Sequence, residues 1–271
     1  MAPDRHTLDE LLDCAVTAAR TAGAYALRHH RRRREAVRVL AHDVKLKLDI
    51  ECQERAERVI QKRFPEHLIL GEEDTTPGDA TEDRSRIRWI IDPIDGTVNF
   101  SHGLPLWCCS VAATLAGRTI AGAVFAPELD RCFTASLQDR SRLNGRAVSV
   151  SPIRELSRSM VFTGLDKRVD PRLPPFEIFR ALSARIQKAR IIGSAALDLC
   201  HVACGQAEGY FETGIYIWDV AAAGFIVERA GGKAELIGEL PGHRLQYVAS
   251  NGHIHAALKR VLRRKLDLAR G

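Results

Sequence analysis

The chain has 271 residues, 45% of them hydrophobic and 27% charged, a balance that excludes a disordered or fibrous protein. Its seven cysteines include no CxxC pair, which argues against a zinc site or a disulfide framework and favours reduced, buried thiols. The N-terminus has no signal-peptide pattern and no apolar stretch is long enough to cross a bilayer. We therefore expect a cytoplasmic protein with no membrane partner.

The first predicted elements are two helices separated by a basic run. The capping pattern of Thr7 and Glu10, followed by apolar residues at helical spacing, predicts a helix of about five turns. The arginines Arg31 to Arg34 follow and contribute to a net charge of +6. This run indicates a solvated helix end, and a nucleic acid that binds Arg31–Arg34 is the less favoured partner. A second helix is predicted from Asp49 to Phe64, where Pro65 ends it.

The middle and the end of the chain show different patterns. From Ser110 to Val150, short apolar runs separated by polar turns predict an antiparallel meander. Beyond Ser151, strands alternate with helices, which favours a layered α/β arrangement. We expect residues 1–150 to form helices plus an antiparallel sheet and residues 151–271 to form an α/β half, joined in one compact catalytic unit.

Carboxylates follow three apolar strands of the sequence. Glu72 follows one strand, Asp92 and Asp95 follow a second, and Asp219 follows a third. Several carboxylates in one crevice raise each other's pKa values unless a cation neutralises them. Since these are hard oxygen ligands without neighbouring histidine or cysteine, Mg²⁺ is the favoured ion and Mn²⁺ the alternative.

The stretch from Asp92 to Thr97 combines two features of phosphate chemistry. Pro93 restricts the backbone, so Asp92, Asp95 and the carbonyl of Ile94 can face the same side. Gly96 and Thr97 then supply backbone N–H groups of the kind that bind an oxyanion. Metal ions beside an anion-binding turn favour phosphoryl transfer. A calcium-stabilised binding module, or isolated acids in ordinary turns, would explain the carboxylates alone.

Two long stretches resemble a known family. Residues Trp89–Pro105 and Trp218–Gly232 resemble the two signatures of the inositol monophosphatase family, and Phe64–Asp74 and Gly193–Glu212 are similar to further family segments. The resemblance implies a mixed α+β fold, a layered αβαβα sandwich. It also implies Mg²⁺-dependent hydrolysis of a small phosphate monoester by metal-activated water, and a homodimer.

The resemblance also implies roles for individual residues, with two or three Mg²⁺ ions per site. The implied catalytic residues, which orient and deprotonate the attacking water, are Glu72, Thr97 and Asp49. The implied metal ligands are Glu72, Asp92, the carbonyl of Ile94, Asp95 and Asp219. The implied substrate-binding residues are Asp95, Gly96, Thr97, Gly193, Ser194, Ala195 and Glu212.

Several positions depart from the family pattern. Lys45, Lys47 and Leu48 stand before Asp49, where family members commonly carry small residues or threonine. Tyr216, which is also a predicted substrate-binding residue, stands where animal inositol phosphatases tend to have histidine. The loop Thr163–Asp170 differs from those enzymes as well; it favours ordinary solvated side chains, and the alternative is that Lys167 or Arg168 meets a second acidic group on the substrate.

These departures leave the substrate open. Inositol monophosphate is the leading small phosphorylated polyol. The alternatives are histidinol phosphate, fructose 1,6-bisphosphate and a 3′-phosphoadenosine nucleotide. An alternative of another class is an RNA-associated regulatory protein that uses the basic run Arg31–Arg34.

Overall fold

A computed structural model describes residues 3–39, 44–74, 85–165, 174–240 and 244–267. The helices in these ranges are α1 Arg5–Arg28, α2 Lys47–Arg63, α3 Thr97–His102, α4 Pro174–Ser183, α5 Ala195–Ala203, α6 Ile217–Arg229 and α7 His255–Asp267. The strands are β1 Ala36–Val39, β2 Val44–Leu46, β3 Leu68–Gly71, β4 Arg88–Asp95, β5 Cys108–Leu115, β6 Arg118–Ala126, β7 Arg131–Ser136, β8 Arg142–Leu143, β9 Arg146–Ala147, β10 Met160–Thr163, β11 Lys188–Arg190, β12 Gly209–Ile215, β13 Lys233–Leu240 and β14 Arg244–Ser250.

The first large sheet has seven strands in the order β3-β4-β5-β6-β7-β8-β9. Strands β3 and β4 are parallel, and each later pair is antiparallel. The predicted meander is therefore confirmed. It is built from apolar strands, because β4, β5 and β6 are buried along most of their length.

The second large sheet has five strands in the order β11-β10-β12-β14-β13. Strand β10 runs parallel to both β11 and β12, whereas β14 is antiparallel to its two neighbours. The helices α4, α5 and α6 occur between these strands along the chain, as the alternating pattern predicted. The strands β13 and β14 and the helix α7 had not been predicted.

Three hydrophobic clusters divide the protein into layers. The first lies between the helices α1 and α2 and one face of the seven-stranded sheet. The second lies between the two sheets, where α5 and α6 pack. The third joins α4 and α7 to the outer face of the five-stranded sheet. The layers thus follow the order α, β, α, β, α, which confirms the expected sandwich.

The start of α1 differs from the prediction. The N-cap is Asp4, whose Oδ1 accepts a hydrogen bond from the backbone N–H of Thr7 at 2.8 Å. Thr7 therefore lies inside the helix, and the predicted cap at Thr7 was wrong. An aspartate is as good an N-cap as a threonine, so the helix begins at the earlier of the two polar residues and extends over 24 residues.

The cysteines lie mostly in the interior of the protein, as the sequence predicted. All seven cysteines are free thiols, and all are buried except Cys204, which is half-buried. Burial raises the pKa of the Cys109 thiol to about 12, so this thiol stays protonated. Within the described ranges, each helix is too short or too polar to cross a membrane.

Candidate metal centre

Three carboxylates from two distant parts of the chain meet, two of them buried and the third, that of Asp219, half-buried. Oxygen atoms of Asp92, Asp95 and Asp219 all lie within 4.8 Å of one another. Asp92 and Asp95 belong to β4, and Asp219 lies in the first turn of α6. The structure thus brings together three of the predicted ligands.

A bulge in β4 allows its two aspartates to serve one site. Asp92 is opposite Ser110 of β5 and Asp95 is opposite Cys108, so three steps along β4 match two steps along β5. In a regular strand, residues three apart point to opposite faces, and one additional residue corrects this. The bulge occurs where Pro93 cannot donate a ladder hydrogen bond.

Asp219 and Asp49 occupy equivalent positions in two helices. Oδ2 of Asp219 accepts a hydrogen bond from the backbone N–H of Tyr216 at 2.6 Å, and Oδ2 of Asp49 accepts one from Leu46 at 2.8 Å. Each aspartate therefore binds a donor at the start of its helix, α6 or α2. Carboxylates are favourable there because backbone N–H groups lack partners in a first turn.

Glu72 reaches the same region from the end of β3. Its backbone N–H donates to the carbonyl of Ile91 at 3.1 Å, which continues the parallel pairing of β3 with β4. Burial raises the pKa of Glu72 well above its usual range, and the charges of Asp219, Glu73 and Asp49 raise it further. Glu72 therefore lies close to Asp219 and Asp92, and Asp49 lies close to Glu72.

The residues present fit a hard divalent cation. Burial and then the neighbouring Glu72 raise the pKa of Asp92 far above its usual value. Oδ1 of Asp92 is buried and has no hydrogen-bond partner among the described residues. Among the described residues, no cationic side chain forms an ion pair with Asp92 or Asp95. The ligand atoms that the site offers are all oxygens. Such a site is stable when a cation binds to it.

Asp95 also holds the start of α5. Its Oδ2 accepts hydrogen bonds from Oγ of Ser194 at 2.6 Å and from the backbone N–H of Ala196 at 2.7 Å. The Cys108 thiol lies 3.6 Å from the same oxygen, and the backbone N–H of Ala195 donates to Oδ1 at 3.2 Å. Burial raises the pKa of Asp95, and these hydrogen bonds oppose the rise. The predicted substrate residue Ser194 thus contacts a predicted metal ligand directly.

The turn after Asp95 requires a glycine. Gly96 has a φ of 93°, and a Cβ there would lie 3.0 Å from the carbonyl oxygen of Leu106 and 3.2 Å from that of Gly193. Oγ1 of Thr97 donates a hydrogen bond to the carbonyl of Ile94 at 3.0 Å. The predicted positions Gly96 and Gly193 are therefore adjacent, and Thr97 touches the predicted carbonyl ligand.

The remaining predicted substrate residues lie on β12 and at the start of α6. Glu212 accepts a hydrogen bond from the hydroxyl of Tyr210 at 2.6 Å, and its carboxylate lies against Gly164, where a Cβ would overlap it. Tyr216 stacks on Trp218 with the ring centroids 4.7 Å apart. Lys167 lies outside the described residues.

Sequence reasoning missed one buried acid of this region. Asp198 in α5 is 2% exposed, and its Oδ1 has no hydrogen-bond partner among the described residues. Burial raises its pKa well above the usual range, and the charges of Asp95 and Glu212 add to the rise. The available signal was a charged residue within the otherwise apolar helix Ala195–Ala203.

The basic run is only partly available to a partner. Arg32 forms ion pairs with Glu35 at 3.1 Å and with Glu51 at 2.8 Å. The guanidinium of Arg33 lies against Gly103 at the end of α3. The exposed members of the run are Arg31 and Arg34.

Several known proteins are similar to this chain in fold and in sequence. The model of the inositol monophosphatase family matches residues 7–267. A Nus factor SuhB from Pasteurella multocida is 36% identical, with 96% of each chain covered. An inositol monophosphatase from Dictyostelium discoideum is 34% identical over 83% of this chain and 84% of its own. The solved inositol monophosphatase from Anabaena (Nostoc) is 34% identical, with a TM-score of 0.82 over 96% of this chain and 97% of that one.

Together with the layered fold and the carboxylate cluster, these findings define a phosphoric monoester hydrolase that acts on a phosphorylated substrate. The chain belongs to the inositol monophosphatase family. That family is metal-dependent, and Asp92, Asp95 and Asp219 are placed where they could bind a metal ion.

Proposed function

We propose that the protein hydrolyses a small phosphorylated polyol with Mg²⁺ as cofactor, and that inositol monophosphate is its leading substrate. The observation that carries this proposal is the cluster of the buried Asp92 and Asp95 with the half-buried Asp219, beside the turn at Gly96. Relatives named inositol monophosphatase support the choice of substrate.

In this proposal the metal is held by oxygen atoms alone. When bound, Mg²⁺ would stabilise negative charge on the phosphate oxygens during displacement, and Mn²⁺ could take the same place. The proposed ligands are Glu72, Asp92, the carbonyl of Ile94, Asp95 and Asp219.

The proposed catalytic residues prepare the attacking water. Glu72 and Thr97 orient it, and Asp49 assists in accepting its proton. The hydroxyl of Thr97, fixed by its hydrogen bond to Ile94, keeps its oxygen as an acceptor.

The proposed substrate site has a phosphate end and an alcohol end. Backbone N–H groups of Gly96 and Thr97 bind the phosphate. Glu212, whose orientation the Tyr210 hydroxyl limits, accepts a hydrogen bond from the alcohol part. The other residues proposed to contact the substrate are Asp95, Gly193, Ser194, Ala195, Tyr216 and Lys167.

Phosphate release tests this function. The panel contains inositol monophosphate, histidinol phosphate, fructose 1,6-bisphosphate and 3′-phosphoadenosine 5′-phosphate, each with Mg²⁺, Mn²⁺ or EDTA. Asp92→Asn is the test variant, and Asp9→Asn on the exposed side of α1 is the matched control. We expect turnover with Mg²⁺ that only Asp92→Asn abolishes. Turnover that persists in EDTA would contradict the proposal.

A second candidate function is regulation through RNA. It is favoured by several relatives that carry the name Nus factor SuhB and by the exposure of Arg31 and Arg34. Arg32 and Arg33 have contacts within the protein, so only Arg31 and Arg34 of the basic run are proposed to contact RNA.

A salt titration of RNA binding separates this candidate from simple surface charge. The double variant Arg31→Gln/Arg34→Gln should lower the logarithmic salt slope for single-stranded RNA by roughly 1.4. The control Arg140→Gln/Arg154→Gln removes the same charge from other exposed positions. Equal slopes for the two double variants would overturn the RNA proposal.

We further propose a cytoplasmic homodimer whose residues 1–150 and 151–271 act as one catalytic unit. The residues that touch Asp95 from α5 support the single unit, because they join the two halves at the centre. Light scattering of the purified protein tests the dimer, and a mass of one chain would contradict it.

A further inference from the structure

Lys45 is a cationic side chain next to the acidic centre. Its Nζ lies 2.5 Å from Oε2 of Glu73 and donates to the backbone carbonyl of the same residue at 3.2 Å. Glu73 is nearly buried and directly follows Glu72 in the chain, and its charge raises the pKa of Glu72. The ammonium group is therefore fixed at the edge of the carboxylate cluster.

A second contact keeps this turn in place. Oε1 of Gln53 accepts a hydrogen bond from the backbone N–H of Glu73 at 2.9 Å, and Nε2 donates to Oδ1 of Asp74 at 2.8 Å. Gln53 lies one helical turn after Asp49 in α2, and it is buried. The turn that carries Glu72 is thus held by α2 on one side and by Lys45 on the other.

The two ends of the centre differ in charge compensation. At the end formed by Asp92 and Asp95, the described residues contribute hydrogen-bond donors but no ion pair. At the Glu73 end, a lysine forms an ion pair through two contacts with one residue. A hard cation and an ammonium group compete for the same carboxylate oxygens, so the lysine reduces the need for a metal ion at its own end.

We propose that Lys45 is a resident cation of the metal centre, whose ammonium group takes the place beside Glu73 that a further Mg²⁺ ion would otherwise fill. This inference rests on the proposed Mg²⁺-dependent function. Metal binding is then confined to the proposed ligands, which are Glu72, Asp92, the carbonyl of Ile94, Asp95 and Asp219. The Lys45 ammonium also limits the repulsion between Glu72 and Glu73 when metal is absent.

The number of Mg²⁺ ions bound per chain tests the proposal. Equilibrium dialysis would compare wild type with Lys45→Gln, Lys45→Arg and Lys47→Gln. Lys47 is the matched control because it is exposed, lies two residues away and loses the same charge. We expect Lys45→Gln alone to bind one more Mg²⁺ ion than wild type. The double variant Lys45→Gln/Glu73→Gln should lose that additional ion.

A second measurement, of the melting temperature, needs no substrate. In EDTA, Lys45→Gln should melt at a lower temperature than Lys47→Gln, Lys45→Arg should melt near wild type, and added Mg²⁺ should restore Lys45→Gln. Equal Mg²⁺ binding by Lys45→Gln and Lys47→Gln would overturn the role of Lys45, as would an additional ion in Lys45→Arg.

The failure of the two proposals can be told apart. If wild type binds Mg²⁺ and hydrolyses a phosphate monoester while all variants bind equally, only the role of Lys45 is wrong. If wild type binds no Mg²⁺, the proposed function is wrong, and the role of Lys45 as a substitute for an ion is wrong with it.

Discussion

The acidic centre and the basic run of this protein differ in whether their charged side chains have ion-pair partners among the described residues. Asp92 and Asp95 are buried, and the described residues form no ion pair with either. Arg32 lies at the surface and binds two glutamates, Glu35 and Glu51. Buried charge without compensation is costly, whereas paired surface charge adds little to stability. A bound cation would therefore stabilise the acidic centre much more than any partner would stabilise the paired arginine. The acidic centre is the favoured binding site for this reason.

The largest effect is expected from a change at Asp92 in the acidic centre. Asp92→Asn removes a charge but no hydrogen bond of Oδ1 within the described protein. Hydrolysis should fall by more than about 100-fold, because even groups that orient metal ligands typically account for 10–100-fold. The melting temperature in EDTA should rise at neutral pH, since the neutral amide of Asn can be buried without taking up the proton that Asp92 needs. An equal or lower melting temperature would contradict the idea that the centre is uncompensated.

A smaller effect is expected where the centre is supported. Ser194→Ala removes the 2.6 Å hydrogen bond to Oδ2 of Asp95 but leaves that from Ala196. The free energy of unfolding should fall by about 2 kcal/mol, and Mg²⁺ binding should weaken roughly tenfold. Urea unfolding and dialysis measure the two changes. The control is Ser136→Ala at a buried serine of β7. Equal Mg²⁺ binding by both variants would show that Ser194 does not support the metal site.

The pH dependence sharpens the comparison further. Glu72 and Asp92 have raised pKa values in the folded, metal-free protein, so the folded chain holds protons that the unfolded chain has released. The contribution of these two carboxyls to stability in EDTA is therefore greatest below the ordinary carboxyl pKa and is lost as the pH rises through the raised values. Because Mg²⁺ must displace these protons, the increase in melting temperature that Mg²⁺ causes should grow as the pH rises above the ordinary range of a carboxyl pKa. A constant increase would show that the carboxylates are already ionised.

The smallest effects are expected in the basic run. Arg32→Gln loses its ion pairs to Glu35 and Glu51, so its melting temperature should fall slightly. Arg31→Gln and Arg34→Gln should not change the melting temperature, because both side chains are exposed. None of the three should change hydrolysis. A loss of hydrolysis in Arg31→Gln would connect the basic run to the catalytic centre and end the contrast between the two regions.

Much of the site was predictable because short-range pattern limits local backbone structure. An apolar run followed by acids placed Asp92, Asp95 and Asp219 at element ends, and the structure brings their oxygens together. The predicted start of α1 was wrong because two polar residues, Asp4 and Thr7, are both suitable N-caps and the sequence pattern does not show which one is used. The roles of the individual site residues stay predictions until variants are measured.

By itself, the sequence determined most helices and strands as far as α6 and the clustering of acids after apolar strands, because periodicity and turn chemistry act over a few residues. The family followed from two long stretches that resemble its signatures. Only the tertiary structure decided which side chains meet. It placed the Ser194 hydroxyl on Asp95, buried Asp198, tied Arg32 to Glu51 and set Lys45 beside Glu73. These contacts join residues far apart in the chain, and they depend on how the two sheets and the helices between them pack.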